Sequence, residues 1–188
     1  MRAFFCIPIP DPLCAKIHDI AERLRSQTRM SASWVAQHNY HITLRFLGDI
    51  DPALTVGLDN QCRTLCRDIA PFVCSLDRVG AFPSVGRARV LWVGGEAPAS
   101  FCRLTQALSR GLVDVGFPEV REESVVHVTL ARVKDRPDPA LPGLISELNP
   151  ISSMEMMADR VVLMESTLTQ RGAIYSPLFS ARLGARQR

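Results

Sequence analysis

His41-Ile42-Thr43-Leu44 returns as His127-Val128-Thr129-Leu130, a His, β-branched residue, Thr, Leu tetrapeptide written twice in 188 residues. In a β-strand successive side chains alternate faces. Each His therefore shares a face with its Thr, while Ile42 and Leu44, or Val128 and Leu130, fall on the other. Each copy offers an imidazole and a hydroxyl on one side of a strand whose other side reads as core. Two imidazoles suit a reaction in which one proton is taken and another given near neutral pH. The four polar groups are expected to share one site.

The offset between the copies, about 86 residues, relates much more of the chain, as an internal duplication does. Ala3 to Ile9 shifts onto Arg89 to Gly95, and the helical stretch after Asp11-Pro12 onto the one after Ala97-Pro98. The segment after Asp51-Pro52 shifts onto the one after Asp138-Pro139, Phe72–Phe82 onto Ala158–Leu168, and Arg89 onward onto Tyr175 to Leu183. Few identities survive, but the order of elements repeats. The chain reads as one bilobal domain over 1–188, with half-repeats of roughly 1–88 and 89–183 that share strands. If the halves pack about a pseudo-twofold axis, the two His-x-Thr strands face each other across a cleft.

Hydrophobic patterning and turn residues predict strands near 3–9, 40–47, 72–82, 88–94, 126–133, 158–167 and 175–183. Helices are expected near 11–28, 51–70 and 98–115, with a shorter one around 138–148. Gly116 to Pro118, Asn149-Pro150 and Arg171-Gly172 punctuate these elements, and Val161 to Leu183 reads as a closing antiparallel hairpin turning at Thr169 to Gly172.

Composition bounds the function classes. With 47% apolar residues and no low-complexity tract, the chain can bury a real core. Its longest apolar runs are too short for a membrane span. The Pro-interrupted N-terminal stretch AFFCIPIPDP reads as a first strand rather than a signal peptide. Six cysteines without a second Cys or His pair beside Cys62 and Cys66 read as reduced, mostly buried thiols of a cytoplasmic protein. A net charge of +3 does not by itself imply nucleic acid. Its distribution carries more: Arg45 and Arg132 stand at the two motifs, Arg87 and Arg89 flank a turn, and Arg182, Arg186 and Arg188 form a basic, solvated tail. Guanidinium suits phosphate oxygens.

The remaining histidines, His18 and His38, lack such a partner motif and read as surface residues. Two His without a carboxylate or Cys in register are too few ligands for a metal site. No Ser stands in a nucleophile-elbow pattern, and Gly94-Gly95 lacks the remaining features of a phosphate loop. Two imidazoles and two hydroxyls can, without a metal or other cofactor, carry out in-line displacement at phosphorus. One neutral His activates water and one protonated His supplies the leaving oxygen's proton.

These motifs resemble the two-histidine phosphoesterase superfamily, and within it the RNA 2′,3′-cyclic phosphodiesterases once called 2′-5′ RNA ligases. Asn39-Tyr40-His41-Ile42-Thr43-Leu44-Arg45-Phe46-Leu47-Gly48 resembles the family's first motif. Gly80-Ala81-Phe82-Pro83 with Arg89 to Gly94 resembles its central signature, His127 to Arg132 its second motif, and the Ser166 to Leu183 hairpin with Tyr175 its C-terminal end. Val126 departs from the family's usual Pro, and Arg121 to Val125 from the usual approach to the second His.

The resemblance implies an α+β fold, a bilobal pseudo-twofold duplication whose two antiparallel sheets line a central cleft with helices outside. It implies His41 as general acid toward the leaving 3′-oxygen and His127 as general base on water, giving a 2′-phosphate end. Thr43, Thr129 and Arg132 would hold the phosphate oxygens, Phe46 would stack on a nucleobase, and Arg45 would contact RNA. Phe46 and Arg132 stand five residues after their His, so strict alternation turns both away from the site. A bulge or strand end just after Leu44 and Leu130 is therefore expected. The partner implied is an RNA ending in a 2′,3′-cyclic phosphate, of which tRNA-derived ends are one candidate source. No membrane contact is expected, and a monomer is. The same site could run 2′-5′ ligation in reverse, or take a small cyclic nucleotide or ADP-ribose cyclic phosphate. From another class, the chain could be a non-catalytic RNA-end binding module.

Overall fold

A computed structural model of the chain describes residues 1–120, 125–170 and 172–184. Among these residues ten strands and four helices follow in the order β1 (Arg2–Pro8), α1 (Asp11–Ser26), β2 (Ala32–Trp34), β3 (His41–Asp49), α2 (Thr55–Arg67), β4 (Phe72–Leu76), β5 (Arg78–Phe82), β6 (Val90–Gly95), α3 (Ala99–Val113), β7 (Val126–Val133), α4 (Leu141–Leu148), β8 (Met154–Ala158), β9 (Arg160–Thr169) and β10 (Gly172–Arg182). Short 3₁₀ turns occupy Gln37–Asn39, Pro52–Leu54 and Val85–Arg87.

The helices form where sequence physics places them. α1 starts behind Pro10 with Asp11 and Pro12 in its first turn, ends with Arg23 and Arg25, and buries Cys14, Ile17, Ala21 and Leu24. The spacing of those four at three and four residues makes one apolar stripe. α2 does the same with Leu58, Cys62 and Cys66, and α3 with Phe101, Leu104, Leu108 and Leu112. All four helices contribute to one core cluster, which includes Phe5, Ile7, Ile42, Leu44, Leu91, Val93, Val128 and Leu130 from the sheet. The sheet's opposite face carries the His-x-Thr pairs and a small second cluster of Phe4, Cys6 and Val162, with Met164 and Tyr175 against it. No helix among the described residues is long and apolar enough to cross a membrane.

The expected α+β class with antiparallel sheets is borne out, with strands divided eight and two. The larger sheet runs β10-β9-β1-β3-β7-β6-β5, with β2 also paired to β7. Its middle is thin: β3 and β7 share the single pair Ile42↔Val128. Outward from that pair, β3 is flanked by β1 and then β9, and β7 by β6 and then β5. β9 thus sits beside a strand from the first half of the chain, and β5 beside one from the second.

Two predicted strands differ from expectation. The stretch near 72–82 breaks at Asp77 into β4 and β5, and the later one begins earlier and breaks at Asp159 into β8 and β9. Asp77 and Asp159 each pair with the Arg that follows, Arg78 at 3.2 Å and Arg160 at 3.1 Å. After each break the chain changes partner. β4 and β8 pair with each other in a separate ribbon, from Phe72↔Ala158 to Leu76↔Met154, while β5 and β9 join the large sheet. The three-residue β2 was too short to be read from sequence. The closing hairpin forms as expected, with Gly172 at φ +122° and the Thr169 hydroxyl donating to its carbonyl. Arg171, Arg186, Arg188 and the Arg121 to Ser124 part of the second motif's approach lie outside the described residues.

Candidate active site

Pairing partners across a sheet share a face, so register alone builds the site. Gly94 pairs with His127 and Trp92 with Thr129, then the register slips by one residue and Leu91 pairs with Ala131 and Val90 with Arg132. Leu130 is the extra residue. On the other strand Cys6 pairs with Thr43 and Phe5 with Arg45, leaving Leu44 extra. Each bulge makes two consecutive residues bury, Leu44-Arg45 and Leu130-Ala131, and returns the next, Phe46 and Arg132, to the histidine face.

The first bulge also corrects one expectation. By simple alternation Arg45 would share the face of His41 and Thr43. Instead it is 6% exposed, lies opposite the core residue Phe5, and its Nη2 donates to the Pro118 carbonyl at 2.8 Å. Arg45 secures the segment after α3 and does not share the face of His41 and Thr43.

The two imidazoles are held alike. His41 Nδ1 lies 2.7 Å from the Asn39 carbonyl and His127 Nδ1 lies 3.1 Å from the Val125 carbonyl, each two residues back. A carbonyl only accepts, so Nδ1 carries the hydrogen in both, and Nε2 is the nitrogen free to take or give a proton. Asn39 is itself buried, its side-chain amide donating to the Ala173 carbonyl of β10 at 2.7 Å, which ties the first imidazole's anchor to the closing hairpin. Val126, the residue that departs from the family's Pro, is fully buried and pairs with Gly95.

Aromatic rings fix both imidazole planes. Phe4 and Tyr175 flank His41 with centroids at 4.8 and 5.3 Å, Tyr175 edge-on. Phe82 meets His127 edge-on at 5.1 Å and Trp92 at 6.5 Å. Phe46, 52% exposed, lies 5.8 Å from Phe4 and leaves a face open. These flanking rings were not assigned roles from sequence. β1 reads as an unbroken apolar run because both of its faces are buried, which hides the alternation that would have marked Phe4.

A cavity of about 350 Å³ is lined by Thr43, Phe46, His127, Thr129 and Arg132, with Phe82, Val90 and Thr105 among its other walls. His41 adjoins it through Thr43 on the same face. Burial lowers the pKa of both imidazoles below the ordinary value. The bonds to Asn39 and Val125 oppose that in part, and Arg132 adds to it at both sites, as His127 does at His41. Burial likewise raises Tyr175. Among the described residues no group of three or more His, Cys, Asp or Glu is placed to hold a metal ion. His38 is exposed and His18 half-buried on α1, both apart from these contacts. The arrangement places two proton carriers, two hydroxyls and one guanidinium around a space fit for a phosphate.

The sequence profile described as LigT like Phosphoesterase matches residues 7–92 and 95–175. An RNA 2′,3′-cyclic phosphodiesterase of Methanothermobacter thermautotrophicus is 33% identical over 184 residues, covering 97% of this chain and 99% of that one. The protein of the same name from Thermotoga maritima is 31% identical, covering 97% and 95%. The crystal structure of TT0787 of Thermus thermophilus superposes with a TM-score of 0.81 at 25% identity over the full length of both chains. That of Escherichia coli LigT complexed with 3′-AMP shares the fold, with a TM-score of 0.75 at 23% identity and 98% coverage of each.

Proposed function

The chain belongs to the LigT-like phosphoesterase family and is a phosphoesterase, and from that premise we propose that it hydrolyses RNA 2′,3′-cyclic phosphate ends to 2′-phosphomonoesters without a metal. The observation that carries the reading is the matched pair of Nδ1–carbonyl bonds, at 2.7 and 3.1 Å, which leaves both Nε2 atoms to manage protons. His127 takes a proton from water as the water oxygen bonds to phosphorus. The bond from phosphorus to the 3′-oxygen breaks, and His41 protonates that oxygen. Water then returns the pair to its starting protonation state. Thr43 and Thr129 hydroxyls donate to the non-bridging oxygens and Arg132 offsets their charge. The open face of Phe46 stacks on the terminal base, a contact worth about 1–3 kcal/mol in single-strand binders.

Both imidazoles are drawn toward the neutral form by burial and by Arg132. A phosphodiester anion in the cavity opposes that pull, so substrate itself favours the state with one imidazole protonated. This couples readiness for catalysis to binding.

The test is a short RNA ending in a 2′,3′-cyclic phosphate, incubated in excess EDTA with the wild type, His41→Ala and His127→Ala. Conversion to the 2′-phosphate by wild type alone is expected. A 3′-phosphate product would exchange the two histidines' roles, and loss of turnover in EDTA would remove metal independence. Tight binding with no turnover would make the chain an RNA-end binding module. A joined 2′-5′ product with a 5′-hydroxyl RNA present would mean that the reverse reaction runs in the same site.

A further inference from the structure

The cleft does not end at Arg132. Val90 pairs with both Phe82 and Arg132, so these three cleft residues stand abreast on β5, β6 and β7. The next residue outward on two of the strands, Pro83 and Arg89, lines a second depression of about 600 Å³. Its walls are the turn between β5 and β6, with Arg87 and Arg89, and the loop from β7 to α4, with Asp135, Arg136 and Asp138. Four prolines, Pro83, Pro137, Pro139 and Pro142, also line it, and the fixed φ of proline stiffens both walls.

The charge balance of this groove favours an anion. Arg87 and Arg136 are exposed, and among the described residues neither takes part in an ion pair. Arg89 spends one nitrogen on the Asp135 carbonyl at 2.9 Å, which holds the two walls together. Both carboxylate oxygens of Asp138 already accept backbone N–H bonds, from Arg29 at 2.6 Å and Ala140 at 2.8 Å. Three guanidinium groups therefore face one uncommitted carboxylate, Asp135, in a rigid trough that starts where the phosphate site stops.

We propose that this groove seats the phosphodiester backbone of the RNA strand 5′ of the reacting end, so that the chain favours oligonucleotides over single nucleotides. The inference rests on the reading of the cleft as a site for cyclic-phosphate RNA ends. Guanidinium groups spaced along stiff walls suit successive phosphates, whose contacts carry affinity without reading sequence. A mononucleotide cyclic phosphate fills the catalytic cavity and leaves the groove empty.

The experiment uses His41→Ala as the binding form, with and without Arg87→Gln and Arg136→Gln. Both proteins are titrated with a fluorescent RNA hexamer ending in a 2′,3′-cyclic phosphate, and a nucleoside 2′,3′-cyclic phosphate serves as competitor. The groove substitutions are expected to lower the ratio of hexamer to mononucleotide affinity about ten-fold. They should also flatten the plot of log affinity against log salt by about 1.4, or about 0.7 for each phosphate of a single strand that is no longer neutralised. Arg87→Lys with Arg136→Lys, keeping the charge, should retain most of the salt slope. An unchanged ratio and slope in the Gln variant would overturn the groove as the RNA path. Groove-dependent hexamer binding by a wild type that hydrolyses neither ligand would overturn the hydrolase reading and leave the groove standing.

Discussion

His41 and His127 each give their Nδ1 hydrogen to the carbonyl two residues back, and that local bond decides what each ring can do. With Nδ1 committed, a change of protonation happens at Nε2. Replacing either His by Ala should cost about 10²–10⁴-fold in kcat/KM, with kcat falling in step, and steady-state rates on a cyclic-phosphate RNA measure it. The pH profile follows from the sign of the shifts. Both pKa values lie below the ordinary value near 6.5, so the protonated partner is populated only on its acid side. The kcat/KM profile of the free enzyme should be a bell centred below about pH 6.5. The kcat optimum should lie higher, because bound anion opposes Arg132. Stability carries the same sign. Near pH 6.5 the unfolded chain takes up protons that the folded imidazoles refuse, so stability is full above that pH and falls as pH drops toward the lowered values. Melting curves across that window check it. At this scale the two His and two Thr were legible, because a strand's period of two needs no tertiary knowledge. Arg45 departs from its expected place for a reason the sequence already holds. The bulge needed to bring Phe46 into the cleft necessarily carries Arg45 out of it.

The elements that position these residues depend on where strands crowd one another. Trp92 lies on the cleft face between two glycines: a Cβ on Gly80 would come within 2.3 Å of its ring, and one on Gly94 within 3.0 Å. The indole spans the space those two side chains would take, and its other edge approaches His127. Gly80→Ala should therefore cost about 1–3 kcal/mol and lower the melting temperature by about 2–12 °C. Trp92→Phe shrinks the ring, so the double variant should be less destabilised than the two single changes added together. Thermal denaturation of all three reads this out, and simple additivity would mean that the ring is not what Gly80 accommodates. The helices and the long strands β3, β7 and β10 were legible because their periodicity is clean. β8 was missed although Met154 to Ala158 alternates buried and exposed, since a run of Met and Glu lacks the β-branched residues that mark a strand. The breaks at Asp77 and Asp159 were hidden too, because a change of pairing partner leaves no trace in periodicity when apolar residues continue on either side.

At the scale of the whole molecule the first and second halves of the chain exchange strands, so neither half is expected to be a folding unit. The first 88 residues hold β1 to β5, but β5 pairs with β6, β1's outer neighbour is β9, β4 pairs with β8, and β2 pairs with β7. Alone, that segment keeps only the β1–β3 pair and two helices, and an isolated two-stranded pair is marginal in water. The other segment keeps β6 with β7 and the β9–β10 hairpin, but the β1 strand that would join β9 to the rest is missing. Among the described residues the single direct strand pairing between the sheet's halves is Ile42↔Val128, so the exchanged strands and the β4–β8 ribbon carry most of the sheet pairing between the two halves of the chain. Fragments 1–88 and 89–188 made separately should each lack a cooperative thermal transition. Co-expressed, they should recover one, along with hydrolysis, because every missing partner is then present. Circular dichroism melts of the fragments singly and together decide it. A cooperative melt from 1–88 alone would mean that half of the chain is a folding unit after all, and that strand exchange joins two domains rather than building one.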